Sequence, residues 1–170
     1  MLPATVYLSL GSNLGNRQQN LRRAIDALAP EKIRVVAISD LYETEPQDVT
    51  DQPWFLNMAI ECCTELSAFE FLTSLHRIER ALGRVREGTP PGGPRLIDLD
   101  ILLFGDLRLA TPQLTLPHPR MLQRRFVLEP LLELAPDLKD PVTGQPLRTS
   151  LQNVKGQSIK RIGPLELCPP

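Results

Sequence analysis

The run Gly93-Pro94-Arg95-Leu96-Ile97-Asp98-Leu99-Asp100 combines residue types that suit one kind of chemistry. From Leu96 to Phe104 the pattern predicts a strand, with Ile97, Leu99, Ile101 and Leu103 alternating against Asp98 and Asp100. Alternation sets both carboxylates on one face, about 7 Å apart at Cα, and turns the apolar set toward a core. Carboxylates this close repel one another unless a cation lies between them. Hard oxygen donors of this type suit magnesium, which takes one or two carboxylates and fills its remaining positions with phosphate oxygens and water. Two such ions about 4 Å apart could clamp a phosphate in transfer. Taken alone, the Asp-x-Asp pattern leaves a plainer reading open, that of two solvated carboxylates on an exposed sheet face.

The surroundings favour phosphate. Arg77, Arg80, Arg84, Arg86 and Arg95 cluster upstream, and Arg120, Arg124 and Arg125 follow downstream beside His118 in Leu116-Pro117-His118-Pro119. Guanidinium groups present forked donors that match phosphate oxygens. The Gly/Pro-rich stretch Glu87 to Pro94 cannot be regular structure. As a loop it could close over a bound nucleotide and exclude water. Arg77 and Arg80 by themselves are equally compatible with a solvated helix face. Gly11-Ser12-Asn13-Leu14-Gly15 lacks the Gly-Lys-Ser/Thr ending of a phosphate loop and reads as a tight structural turn. Phe55 and Asn57 share one strand face, where a flat heterocycle could stack on Phe55 or Phe126 and hydrogen-bond to Asn57. From spacing alone, both aromatics read as core filling.

The elements that must position these residues follow from periodicity. Thr5 to Leu10 alternates as a first strand, ended by Gly11-Ser12-Asn13. Asn16 caps a helix with Gln19 three residues on, Leu21, Ala24, Ile25 and Leu28 fall at helical spacing, and Pro30 closes it. Ile33 to Ser39 is a β-branched second strand, Glu43 to Pro53 a loop, and Phe55 to Thr64 a third strand. Ser67 and Glu70 form a capping box, after which Phe71, Leu75, Ile78 and Leu82 make an apolar stripe ending at Gly83. The fourth strand is followed by a helical patch from Phe126 to Leu134 and by twenty residues that read as a loosely packed tail. The order β-α-β-β-α-β predicts an α+β, ferredoxin-like fold: an antiparallel sheet with both helices on one face, plus a C-terminal extension. A single domain spans residues 1–170, its core at about 4–136 and its tail at about 150–170.

Composition narrows the function classes. The chain has 170 residues, 42% of them hydrophobic. It carries 19 basic and 20 acidic residues for a net charge of -1, which argues against a protein that coats nucleic acid. Local positive charge without a global excess suits a small polyanion such as a nucleotide. No apolar run approaches the roughly 18 residues of a membrane span, and Met1-Leu2-Pro3-Ala4-Thr5 shows no signal pattern. Three cysteines, Cys62, Cys63 and Cys168, make a poor disulfide framework and read as thiols in a reducing compartment.

The ordered set Leu10-Gly11-Ser12-Asn13-Leu14-Gly15, Asp51-Gln52-Pro53-Trp54-Phe55-Leu56-Asn57, Arg77-Ile78-Glu79, Gly83-Arg84-Val85-Arg86, Gly93-Pro94-Arg95 to Gly105 and Leu116-Pro117-His118-Pro119 resembles the 6-hydroxymethyl-7,8-dihydropterin pyrophosphokinase family of folate synthesis, over Val6 to about Pro136. The resemblance implies transfer of pyrophosphate from ATP to the pterin hydroxymethyl group with release of AMP. It implies two magnesium ions on Asp98 and Asp100, and it makes Arg84, Arg95, Asp98 and Asp100 the catalytic set. By the same resemblance His76, Glu79, Arg84, Arg86, Arg95, Ile101, His118 and Arg124 would contact ATP. Thr44, Glu45, Phe55, Asn57 and Phe126 would form the pterin pocket. The implied partners are ATP and hydroxymethyldihydropterin, with no nucleic acid and no membrane, for a monomer in the cytoplasm. The chain departs from the family at Pro90-Pro91-Gly92, where a tryptophan is common. It also departs at His76 for glutamine, Glu45 for proline, Phe55 for tyrosine and Pro119 for tyrosine.

Two other classes share this element order. An RNA-recognition module would stack bases on sheet aromatics, but Asp98 and Asp100 on that face would repel phosphate. A regulatory domain that binds a metabolite would not need arginines beside paired aspartates.

Overall fold

In a computed structural model that describes residues 2–84, 88 and 91–166, β1 (Ala4–Ser12) leads into α1 (Arg17–Asp26) and a 3-10 turn at Ala29–Glu31. Then come β2 (Ile33–Ile38), β3 (Leu41–Thr44), β4 (Phe55–Thr64), α2 (Ala68–Ala81) and β5 (Asp98–Phe104). A small hairpin of β6 (Leu109–Ala110) and β7 (Thr115–Leu116) precedes α3 (Arg125–Leu134), α4 (Leu147–Asn153) and β8 (Ile159–Gly163). Asn16 accepts from the Gln19 N–H at 3.0 Å, and Ser67 with Glu70 forms the expected capping box.

The main sheet is antiparallel, in the order β5-β1-β4-β3-β8, with β2 also on β4. One face carries Val6, Leu8 and Leu10 of β1 with Met58, Ile60 and Cys62 of β4, packed against Leu21, Ala24 and Leu28 of α1 and Phe71, Leu75 and Ile78 of α2. Full burial of one such side chain contributes about 1.5–3 kcal/mol. The α+β fold with α1 and α2 on a common face is therefore as the element order implies.

Three local expectations are corrected. β1 does not end at Gly11, because Gly11 and Ser12 pair with Asn57 and Leu56 inside the sheet. Glu43 and Thr44 are not loop but the end of β3, opposite Leu56 and Phe55. The C-terminal segment is not a loose tail. α3 and α4 bury Val127, Leu128, Leu131, Leu147 and Val154 against Ala59, Leu102 and Leu103 on the other sheet face, and β8 pairs with β3. Leu103 belongs to that second cluster because of a bulge: Tyr7 faces Leu103 and Leu8 faces Ile101, so Leu102 is the extra residue. A bulge shifts the alternation by one. It sends Leu103 away from α1 and α2, whereas Leu99 and Ile101 remain beneath them.

α3 and α4 cover only part of the second face. Toward the Asp98 end of β5 that face opens into a cleft.

Candidate active site

The cleft floor is set by register. Gly11 faces Asn57 on one side and Asp98 on the other, and Ser9 faces Ala59 and Asp100. Small residues on β1 thus separate the amide on β4 from the carboxylates on β5. A Cβ at Gly11 would lie 2.6 Å from Asn57 Oδ1 and 3.7 Å from the Phe55 ring. No other residue permits that approach without moving Asn57. Asn57, 3% exposed, donates from Nδ2 to Thr44 Oγ1 at 2.6 Å.

A cavity of about 330 Å³ occupies this cleft, and Thr44, Glu45, Phe55, Asn57 and Phe126 all line it. Both aromatics carry an arginine: Arg95 stands 5.3 Å from the Phe55 centroid, and Arg124 stands 5.5 Å from that of Phe126. This favourable cation–π geometry holds the guanidinium groups at the rim of the pocket. A second cavity of about 340 Å³ adjoins the first, lined by Leu72, His76, Ile101 and the turn Thr111 to Thr115. The two cavities share Arg84, Asp98, Asp100, His118 and Pro119.

The shared wall is strongly charged. Asp98 accepts from Arg84 at 2.5 Å and from Arg95 at 2.9 Å. Burial, and then the negative charge of Asp98, push the Asp100 carboxyl up to about 7, against the pull of Arg124 and Arg95. A divalent cation between the two would reverse that cost. The donor set fits magnesium bound chiefly through substrate phosphates: two hard carboxylates, with no group of three or more His, Cys, Asp or Glu side chains poised for a metal among the described residues. The buried Nε groups of Arg95 and Arg124 have no hydrogen-bond acceptor among the described residues. Phosphate oxygens would supply one.

His118 is neutral here. Burial, and then the charge of Arg124, pull its imidazole down to about 4. Its Nδ1 accepts from the Arg120 N–H at 3.1 Å. A neutral ring whose Nδ1 accepts must carry its proton on Nε2, so His118 offers one donor to a phosphate and no positive charge.

Glu79 lines neither cavity. It is 1% exposed, it pairs with Arg84, and it accepts from the Leu99 N–H at 2.9 Å. Glu79 thus braces Arg84 and the start of β5. Arg86 lies outside the described residues, as does most of the stretch from Glu87 to Pro90. Arg77 pairs with Glu31 away from the cleft, and Arg125 turns toward Glu129 and the C-terminal segment.

Sequence reasoning missed several residues. Asp48 lines the first cavity and accepts from Arg120 at 2.7 Å, with Arg124 3.8 Å away. The Arg120 bond holds the Asp48 carboxyl below the usual carboxylate range. Gly92, with φ of +78°, lies against it, where a Cβ would come within 2.7 Å of Asp48 Cβ. Asn13 donates to Gln52 Oε1 and to the Pro53 carbonyl, and it accepts from the Arg95 N–H at 2.8 Å. Gln52 in turn donates to the Gly92 carbonyl at 2.7 Å. The loop before β4 and the loop before β5 are thus tied together at the mouth of the cleft. Asn13 and Gln52 stand in the segments that carry the family resemblance, whereas nothing in the sequence marks Asp48.

A family model described as 7,8-dihydro-6-hydroxymethylpterin-pyrophosphokinase (HPPK) matches residues 7–136. The 2-amino-4-hydroxy-6-hydroxymethyldihydropteridine pyrophosphokinase of Bacillus subtilis is 46% identical over 138 residues, covering 81% of either chain. The folic acid synthesis protein of Schizosaccharomyces pombe is 43% identical over 155 residues, 91% of this chain. This chain spans only 21% of that fungal protein's length. The HPPK-DHPS of Plasmodium falciparum superposes with a TM-score of 0.74 over 94% of this chain and 49% of that one; at 17% identity the likeness is one of fold.

Proposed function

Since the chain belongs to the 7,8-dihydro-6-hydroxymethylpterin-pyrophosphokinase family, we propose that it transfers pyrophosphate from ATP to the hydroxymethyl group of 6-hydroxymethyl-7,8-dihydropterin. The observation that carries this reading is the meeting of two cavities across one wall made of Arg84, Asp98, Asp100 and His118. A transfer between two bound molecules needs that geometry, because the reacting atoms must meet where charge can be neutralised.

In this reading the pterin enters the first cavity, between Phe55 and Phe126, with Asn57 and Thr44 along its edge. The nucleotide takes the second cavity, beside His76, Leu72 and Ile101, and its phosphates run to the shared wall. The hydroxymethyl oxygen attacks the β-phosphorus. The O–Pβ bond forms, the bond from Pβ to the oxygen bridging it to the α-phosphorus breaks, AMP leaves, and the hydroxyl proton is lost. Such transfers depend on position and charge more than on covalent chemistry from the protein. Arg84, Arg95 and Arg124 meet the phosphate charge, and His118 donates from Nε2. Asp98 and Asp100 would hold two magnesium ions, whose charge would offset that of the β- and γ-phosphates. Glu79 keeps Arg84 in place from below.

We take the chain to act as a monomer, and ATP as the phosphate source suits the cytoplasm. Elements from β1 to β8 brace one sheet, so we take the chain as one domain. Purified protein should consume ATP only when hydroxymethyldihydropterin and magnesium are both present. Consumption without the pterin, or none with it, contradicts the proposal.

A further inference from the structure

The segment between α4 and β8 lies outside the family-matched residues 7–136, yet it touches both walls of the first cavity. On one wall, β8 begins where Ile159 pairs with Thr44 of β3, and the Ser158 N–H donates to Glu45 Oε1 at 3.1 Å. On the other wall, the Gln157 side chain works twice. Its Oε1 accepts from the Arg125 N–H at 2.8 Å, and its Nε2 donates to the Gln123 carbonyl at 2.8 Å. Arg125 Nη1 returns bonds to the carbonyls of Lys155 and Gln157 at 2.9 and 3.0 Å. Three consecutive residues, Gln157 to Ile159, therefore reach Arg125 on one side and Thr44 and Glu45 on the other.

The first of these contacts answers a need of α3. Helix N-termini leave N–H groups without intrahelical partners, and a polar side chain at the N-cap usually accepts one. The N-cap of α3 is Arg124, which makes no side-chain cap bond. Gln157 provides the acceptor from elsewhere in the chain. The residues on either side of the capped Arg125 are Arg124 and Phe126, and both line the first cavity. The position of the Phe126 ring relative to Thr44 and Asn57 thus depends on a side chain that itself never enters the cavity.

We infer that Gln157 is a positioning residue of the acceptor pocket, capping α3 so that Phe126 and Arg124 stand at a fixed distance from the Thr44 wall. The inference rests on the reading of the first cavity as the pterin site. It separates the two substrates. The second cavity draws on α2, β5 and the β6–β7 turn and contains no residue of α3 or of the C-terminal segment. Loss of the Gln157 bonds should loosen the pterin pocket most, and reach the nucleotide only through Arg124, one of the three arginines that meet its phosphates.

The test measures dissociation constants of hydroxymethyldihydropterin and of a non-hydrolysable ATP analogue with magnesium, separately, for the wild type and two variants of the full chain. Gln157→Met keeps the volume and loses both bonds. Its affinity for the pterin should fall about five- to tenfold, the scale of losing a helix cap, while that for the analogue, touched only through Arg124, falls by no more than about two- to threefold. Gln157→Glu keeps the acceptor for the Arg125 N–H and adds a negative charge favourable at a helix N-terminus, but it sets an oxygen against the Gln123 carbonyl in place of the donor, so it should recover part of the pterin affinity lost in Gln157→Met. Unchanged pterin affinity in Gln157→Met overturns the inference. Equal losses for both ligands, or no recovery in Gln157→Glu, overturn it as well. If the wild type itself binds no pterin, it is the functional reading that fails.

Discussion

At the scale of single residues, the carboxylates were the legible part. Alternation along β5 is a property of the strand itself, so Asp98 and Asp100 could be set on one face from their spacing. What surrounds them could not be read in the same way. The bonds of Glu79 to Arg84 and to the Leu99 N–H had no signal in spacing, because an acid on a helix can serve the strand packed beneath it. Asp48 had no periodic signal at all, and only folding brings it to Arg120. His118 carries a prediction at this scale. Its folded pKa of about 4 is below the usual 6.5, so between those values the unfolded chain binds more protons. The resulting stability is complete above about pH 6.5 and declines as pH falls toward 4. The chain has two histidines, which makes assignment simple. In proton NMR of the ligand-free protein the His118 ring should titrate near 4, and the fall in unfolding free energy from pH 7 to 5 should shrink in His118→Gln. A midpoint near 6.5 would show that the ring is not held neutral.

Helices α1 and α2 were legible at the scale of elements because their caps and apolar stripes are local signals. β3 and β8 were not. β3 has Leu41, Tyr42 and Thr44 all buried, since β4 and β8 flank it and α3 reaches it through the bond from the Tyr42 hydroxyl to Glu133 at 2.6 Å. A strand covered on both faces shows no alternation. β8 reads Ile-Lys-Arg-Ile-Gly, an edge sequence whose basic residues discourage further pairing and also hide its period. The bulge at Leu102 is invisible for a related reason, because every residue from Ile101 to Phe104 is apolar and a shift by one leaves no mark. The close approach of β1 to the Asn57 side chain gives the prediction for this scale. Gly11→Ala should displace the Asn57 amide, given the 2.6 Å separation, and weaken pterin binding by about tenfold or more, on the order of one lost hydrogen bond to a buried partner. Binding titrations check it, and wild-type pterin affinity in Gly11→Ala would mean that Asn57 does not set the pocket floor.

For the whole molecule, the antiparallel sheet and the common face for α1 and α2 followed from the order of elements. The layer on the other face did not, since nothing in the helical patch at Phe126 says which side of the sheet it will cover. That second layer supplies Phe126 to the first cavity, with Arg124 at its N-cap. Net charge is also a whole-molecule quantity, and at -1 it concealed the concentration of arginine at one end of the sheet. There Arg84, Arg95 and Arg124 converge on two aspartates, at the wall where the cavities meet. The proposed reaction moves two phosphates as one unit across this wall, and phosphorus NMR of the turnover mixture tests that most directly. With ATP, magnesium and hydroxymethyldihydropterin, the spectrum should show AMP and a pterin diphosphate appearing in equal amounts as the ATP signals decline. ADP with a pterin monophosphate, or AMP with free inorganic pyrophosphate, would contradict it.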